Sequence, residues 1–299
     1  MTEIIDVADL DCIFLTYDEP KKEEFWIQIQ NIVPWARRVD GVSGSDAAHK
    51  AAARASDTDR FILIDGDNLP DPAFFNQQLS IDDTNRDCVF RWKARNIING
   101  LQYGNGGISC WTRSFVESMR THEATDGSHE TQVEFCFHPQ YWAMADCYST
   151  TYPNATAFQA WRAGFREGVK MCLDRGRKPS LSDFKNSVVR RNLDNLSIWH
   201  NVGSDVENGL WAMAGARHGT YNTMLSDWDY TEVQDFQKLK HYWDNIVHRF
   251  DVNDFVNTFS DELTRCLDLP IVNMDAGQSK FFKHHYNSQF KNRGIMCRE

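Results

Sequence analysis

At 299 residues, with 41% hydrophobic and 25% charged side chains, the chain has the composition of a soluble globular protein of one large or two modest domains. No run approaches the roughly 18 to 20 apolar residues of a membrane-spanning helix, and the acidic opening MTEIIDVADLDC lacks the basic and apolar regions of a secretory signal, so a cytoplasmic location is expected. A net charge of -10 argues against a surface that attracts nucleic acid everywhere, and eight cysteines without a C-x-x-C pair read as small buried apolar residues rather than disulfides or zinc ligands.

The first half alternates strand and helix signals. CIFLTY (Cys12 to Tyr17) is an apolar strand, and KKEEFWIQIQNIV places Phe25, Ile29, Ile32 and Val33 on one helical face. ARRVDGV predicts a short second strand closing on Asp40, and SDAAHKAAARA a helix that starts at Ser45 or Asp46. RFILI is the third strand, PDPAFFNQQL a further helix and CVFRWKA (Cys88 to Ala94) the fourth strand. This order implies an α/β fold with a mostly parallel sheet, whose ligands gather at the carboxyl ends of its strands. Three such ends then converge: Thr16-Tyr17-Asp18-Glu19, Asp40, and Asp65-Gly66-Asp67.

The second half is helical. FQAWRAGFREGVKMCLDRG, EVQDFQKLKHYWDNIVHRF and DVNDFVNTFSDELTRCLDL each carry apolar residues at helical spacing. With no internal repeat and no low-complexity linker, the boundary belongs near Thr156, giving a domain over 1–156 and a mainly helical one over 157–299 packed on it.

Asp65 and Asp67, one residue apart at the end of an apolar strand, suit Mg2+ or Mn2+, hard cations that take oxygen ligands and keep positions open for phosphate oxygens. Such an ion neutralises charge on a departing diphosphate. Gly66 permits a sharp turn and a close approach. No glycine-rich phosphate loop follows a strand, and the pair follows the third strand, unlike the first-strand aspartate of phosphatase-type enzymes. The ordinary alternative is a solvated Asp-Gly turn.

The strand ending near Tyr17, the second strand ending in Asp40, SDAAHKAAARA and FILIDGDN together resemble the Rossmann-like sugar-nucleotide half of GT-A glycosyltransferases, over roughly the first 150 residues. That resemblance implies a nucleoside diphosphate sugar as donor, a UDP-sugar first among them. It also implies Thr16, Tyr17 and Asp40 at the nucleoside, Lys50 near the phosphates or base, and Asp65 and Asp67 at the metal. WARRVDGVSGSDAAHKAAARASDTDRFILIDGDN, WRAGFREGVKM and IWHNVGSDVENGLWAMAGARHGTY are similar to a phage group found beside TET-like hydroxylases, which is thought to glycosylate hydroxymethylated pyrimidines in DNA. The acceptor implied is a hydroxymethylpyrimidine of phage DNA, hydroxymethylcytosine foremost, in the host cytoplasm.

Several residues complete the expected site. NGLQYGNGGISCWTRSF is a small-residue loop or a glycine-rich hairpin. An inverting transfer needs a base; Glu134, between Val133 and Phe135, is the first candidate and Asp126 the second, with Glu130 nearby. His200, read as lying in a polar stretch between helices, is the expected late metal ligand, with His218 behind it. Arg162 and Arg166, four apart, share a helical face that suits a diphosphate or a nucleic-acid backbone. They open a stretch, Arg162 to Arg191, with nine Lys/Arg against three acids. Trp142, Trp161, Trp199, Trp211 and Trp228 read mainly as core, with base stacking as the alternative. Two other functions stay open: a glycosyltransferase with a saccharide or protein acceptor, and a noncatalytic nucleic-acid-binding or structural phage protein.

Overall fold

The computed structural model describes residues 2–103, 107–119 and 140–289. The chain divides into two compact units: the first runs as far as Asn96 and resumes over Gln102–Tyr152, and the second takes Ile97–Leu101 and Pro153–Gln289.

In the first unit the elements are β1 (Glu3–Asp6), β2 (Asp11–Thr16), α1 (Lys22–Ile32), β3 (Arg37–Asp40), α2 (Ser45–Ala55), β4 (Arg60–Asp65), β5 (Asn68–Pro70), β6 (Gln78–Ile81), β7 (Val89–Asn96), β8 (Gln102–Tyr103), β9 (Ile108–Thr112), α3 (Arg113–Ser118) and β10 (Tyr141–Thr151). One sheet has the strand order β3-β2-β4-β9-β7-β10-β5, with β8 beside β7, and β1 pairs with β6 separately. The pairs β2/β3, β2/β4 and β7/β10 are parallel. The pairs β4/β9, β7/β9, β5/β10 and β7/β8 are antiparallel. The sheet is mixed, which corrects the mostly parallel sheet expected from the element order. The difference comes from β9, inserted antiparallel between β4 and β7; all five of its residues are buried, so it carries no alternation that would mark it in the sequence.

Successive strand residues serve opposite faces. Cys12, Phe14, Ile62 and Ile64 join Phe25 and Ile29 of α1 in one core. Ile13, Phe61 and Leu63 join Ala52 and Ala53 of α2 and Phe115 of α3 in the other. A sheet covered on both faces needs apolar residues at consecutive positions, and Cys12 to Phe14 and Phe61 to Ile64 supply them.

PDPAFFNQQL is not the expected helix. Pro72–Asn76 forms a 3-10 turn, with the Asp71 side chain accepting from the Ala73 N–H, and β6 follows. Leu79 and Ile81 are buried while Gln78 and Ser80 are exposed, the period of a strand.

The second unit contains α4 (Ala157–Met171), α5 (Phe184–Ser187), α6 (Arg190–Asn201), α7 (Gly209–Leu225), α8 (Phe236–Asn245), α9 (Val252–Phe255), α10 (Ser260–Leu267) and α11 (Ala276–Ser288). The last two long periodic runs are broken by aspartate caps: Asp235 accepts from the N–H groups of Gln237 and Lys238 at the start of α8, and Asp251 accepts from Asn253 at the start of α9. Its centre is the α4/α7 pair, which packs at backbone distance. A Cβ on Gly164 would stand 1.9 Å from the Ala212 carbonyl oxygen, and one on Gly219 2.2 Å from that of Phe165. Arg217 of α7, wholly buried, donates to the His200 carbonyl from Nε and a terminal nitrogen (3.0 and 2.6 Å), to the Val256 carbonyl (2.6 Å) and to Asn273 Oδ1 (2.8 Å). It thereby caps the carboxyl end of α6, where the helix dipole favours a cation. Among the described residues no helix is long and apolar enough to cross a membrane.

Candidate active site

The site is built by register. Thr16 pairs with Asp40 across β2/β3, and Leu15 with Asp65 across β2/β4, all parallel, so the three strand ends lie side by side at one edge of the sheet. There Thr16 Oγ1 donates to Asp40 Oδ1 at 2.7 Å, and Lys22 Nζ donates to the same oxygen at 2.8 Å and to the Tyr17 carbonyl at 2.7 Å. Arg38 Nε donates to Thr16 Oγ1 at 3.0 Å, while its terminal nitrogens clamp Glu23 at 2.7 Å each and one lies 3.5 Å from Asp40 Oδ2. The Lys22 and Thr16 hydrogen bonds hold the Asp40 carboxyl below its usual range, so it is ionised at neutral pH. Tyr17 is exposed beside it.

At the end of β4 the chain turns through Asp65-Gly66-Asp67 into β5. The Asp65 N–H donates to the Gly107 carbonyl at 2.8 Å. Asp67 accepts from Asn68 Nδ2 at 2.9 Å and from Thr151 Oγ1 at 3.2 Å, and its carbonyl accepts from the Tyr152 N–H at 2.8 Å. Thr151 and Tyr152 stand at the end of β10, so that strand fixes the second aspartate. Gly66 admits a third carboxylate: a Cβ there would meet Glu19 Cδ and Oε2 at 2.7 Å. Glu19 Oε2 accepts from the Tyr17 N–H at 2.7 Å. Burial raises the Glu19 carboxyl, the Tyr17 N–H draws it back, and the charges of Asp67 and Asp18 add to the rise.

Crowding by protein atoms, then the charges of Asp67 and Glu19, push the Asp65 carboxyl up to about 8. Asp65 keeps an exposed surface, where it, Asp67 and Glu19 repel one another. Among the described residues no three acid, histidine or cysteine side chains close on one point as a complete ligand set. Mg2+ and Mn2+ do not require one, because they bind through one or two carboxylates together with waters and phosphate oxygens. The hard oxygens of Asp65 and Asp67, at a point where negative charge is in excess, fit such an ion.

Compared with known proteins, the chain matches no family model, no curated protein and no solved structure.

The remaining expected residues fall elsewhere. Lys50 pairs with Asp46 one turn back along α2 at 2.7 Å. Glu134, Asp126 and Glu130 lie outside the described residues. His200 is not in a polar loop: it occupies the last turn of α6, is fully buried, and its Nε2 lies 2.9 Å from Thr220 Oγ1. Burial, with the Arg217 charge, lowers its imidazole to about 3, so it is a neutral core histidine of the second unit and leaves the ligand set. The polar residues after Trp199 suggested a loop, but the helix runs on to Asn201 because the Arg217 cap satisfies its end. His218 is likewise buried, with Tyr242 Oη at 3.1 Å. Arg162 and Arg166 do share a face of α4 in the second unit, stacked over the Phe236 ring at 5.1 and 4.7 Å. Lys170, Lys185 and Arg190 of the basic stretch pair with Glu167, Asp268 and Asp194.

Lys22 and Arg38 were not expected at the site, and Glu19 was expected there only as part of the first strand end. Arg38 was accessible from the sequence: two residues before Asp40 on a strand puts both on one face. Glu19 was visible only as one of several acids near the first strand end, because nothing in the sequence couples it to Gly66.

Proposed function

We propose that the first unit binds a nucleoside diphosphate sugar with Mn2+ or Mg2+, and that the chain is a glycosyltransferase whose acceptor is the hydroxyl of a hydroxymethylpyrimidine in phage DNA, hydroxymethylcytosine first. The observation that carries this reading is the alignment of Thr16, Asp40 and Asp65 at neighbouring parallel strand ends, with Asp67 and Glu19 adding charge beside Asp65. Asp40, kept ionised by Lys22 and Thr16, presents an acceptor to ribose hydroxyls, and Tyr17 offers a ring face to the base. Asp65 and Asp67 supply carboxylate oxygens to the ion and hold the diphosphate end of the donor at the strand edge. The bound ion supplies charge neutralisation for the departing diphosphate. Repulsion among Asp65, Asp67 and Glu19 favours cation uptake, since a divalent charge offsets it.

The test is the purified chain with Mn2+, a panel of nucleoside diphosphate sugars, and DNA containing cytosine, hydroxymethylcytosine or hydroxymethyluracil, read by mass spectrometry of the digested nucleosides. A sugar-sized mass gain on a hydroxymethyl base is expected, reduced at least about a hundredfold in Asp65→Asn and Asp67→Asn, a loss of several kcal/mol of transition-state stabilisation. Donor hydrolysis without a modified base moves the acceptor to a saccharide or protein. Absence of both donor binding and turnover overturns the reading in favour of a noncatalytic protein.

A further inference from the structure

The second unit holds a cavity of about 660 Å3 against α8, lined by Trp228, Leu239 and Tyr242 among others. That volume lies in the range of small-ligand sites. The side chains around it are already partly committed, and this narrows what fits. Glu232 has both oxygens engaged, Oε1 by Lys238 Nζ at 2.6 Å and Oε2 by Trp228 Nε1 at 3.2 Å. Tyr242 turns its hydroxyl inward to His218 Nε2 at 3.1 Å, so what it lends the cavity is its ring. His241 and Asn245, also in the lining, are joined at 3.1 Å, and Gln237 adds a carboxamide.

The cavity thus combines aromatic rings with a rim of N–H donors, Lys238 and His241 among them, and its one carboxylate, Glu232, shares the Lys238 ammonium, which keeps further N–H groups for a second acceptor. A planar ring bearing carbonyl acceptors and a phosphate matches both parts: bases stack on aromatic side chains, and Lys is a phosphate binder.

We propose that this cavity is a nucleotide subsite, taking the base of one unpaired nucleotide against Trp228 and Tyr242 and its phosphate at Lys238 and His241. The nucleotide is free or part of a strand. The site lies within the second unit, needs no cation, and does not depend on the glycosyltransferase reading.

The test uses the full chain carrying Asp65→Asn and Asp67→Asn, with chelator present, so that binding is read apart from turnover. A fluorescein-labelled oligothymidylate is titrated at low salt and followed by anisotropy, with thymidine 5'-monophosphate and methyl glucoside as competitors. Lys238→Ala combined with His241→Ala is expected to weaken binding about tenfold, while Lys240→Ala, the same charge on the α8 face that stacks over Phe158, stays within about twofold. Both Lys238 and His241 are exposed, so the fold is expected to survive, and an unchanged melting temperature checks it. Asn245→Asp provides a second variant that adds repulsion at the rim without truncating it, and is expected to weaken binding too. Competition by the monophosphate assigns a free nucleotide; its failure to compete, with variant sensitivity kept, assigns a strand. Equal weakening by all the lysine variants, competition by methyl glucoside alone, or no binding overturns the proposal.

Discussion

Gly66 sits between the two aspartates, and the usual reason for such a glycine, a backbone conformation closed to other residues, does not apply here: it is absent from the positive-φ positions. The reason is space. The position where its Cβ would stand is 2.7 Å from the Glu19 carboxylate. In Gly66→Ala the carboxylate, at the end of a flexible side chain, swings away and gives up its bond to the Tyr17 N–H. The expected cost is about 1 kcal/mol, the worth of one such bond. Because the three nearest atoms to that Cβ all belong to Glu19, the cost should largely vanish in a Glu19→Ala background. A double-mutant cycle by urea denaturation measures this coupling. Additive costs would mean that the glycine serves the backbone and not the third carboxylate.

At the scale of elements, the α4/α7 contact and the α6 end both make directional predictions. The atoms that a Gly164 side chain would strike belong to the Ala212 and Ala216 backbone, which cannot swing aside as Glu19 can. Gly164→Ala is therefore expected to cost at least the upper part of the ~1–3 kcal/mol range for overpacking, with hydrogen-exchange protection lost across the second unit and kept in the first. His200 and His218 act through pH. Burial holds both near 3 in the fold, whereas a solvated histidine titrates near ~6.5. Between those values the unfolded chain binds protons that the fold refuses, so stability falls as pH drops from about 6.5 towards 3. A melting-temperature series over that window should show the slope, flattened in His200→Gln with His218→Gln. An unchanged slope in the double variant would place the acid sensitivity elsewhere.

For the molecule as a whole, the parts legible in the sequence were those with unbroken signals. Cys12 to Phe14 and Phe61 to Ile64 are apolar on both faces, and α4 keeps its period from Phe158 to Val169, so their elements follow from pattern alone. The acids of the strand ends were visible because they stop those runs. Short strands such as β5 and β8, the fully buried β9 and the capped breaks around α8 and α9 depend on tertiary pairing or on a single aspartate, and leave no periodic trace. The same holds for the division of the chain. A cut near Thr156 follows the change from alternating to helical pattern, yet the second unit also owns Ile97–Leu101, inserted between β7 and β8. Within that unit Ile98 and Leu101 are fully buried, Lys283 Nζ donates to the Ile97 carbonyl at 3.1 Å while pairing with Asp205 at 2.6 Å, and the Ile98 side chain abuts Gly203. A fragment over Pro153–Gln289 alone would forfeit two buried aliphatic side chains at about 1.5–3 kcal/mol each, a large share of a domain's stability of about 5–15 kcal/mol, and leave the Lys283 ammonium without its carbonyl. Its expected behaviour is a broad, weakly cooperative urea transition with native-like helical circular dichroism. A sharp transition at the full chain's midpoint would mean that these five residues contribute little to the unit they join.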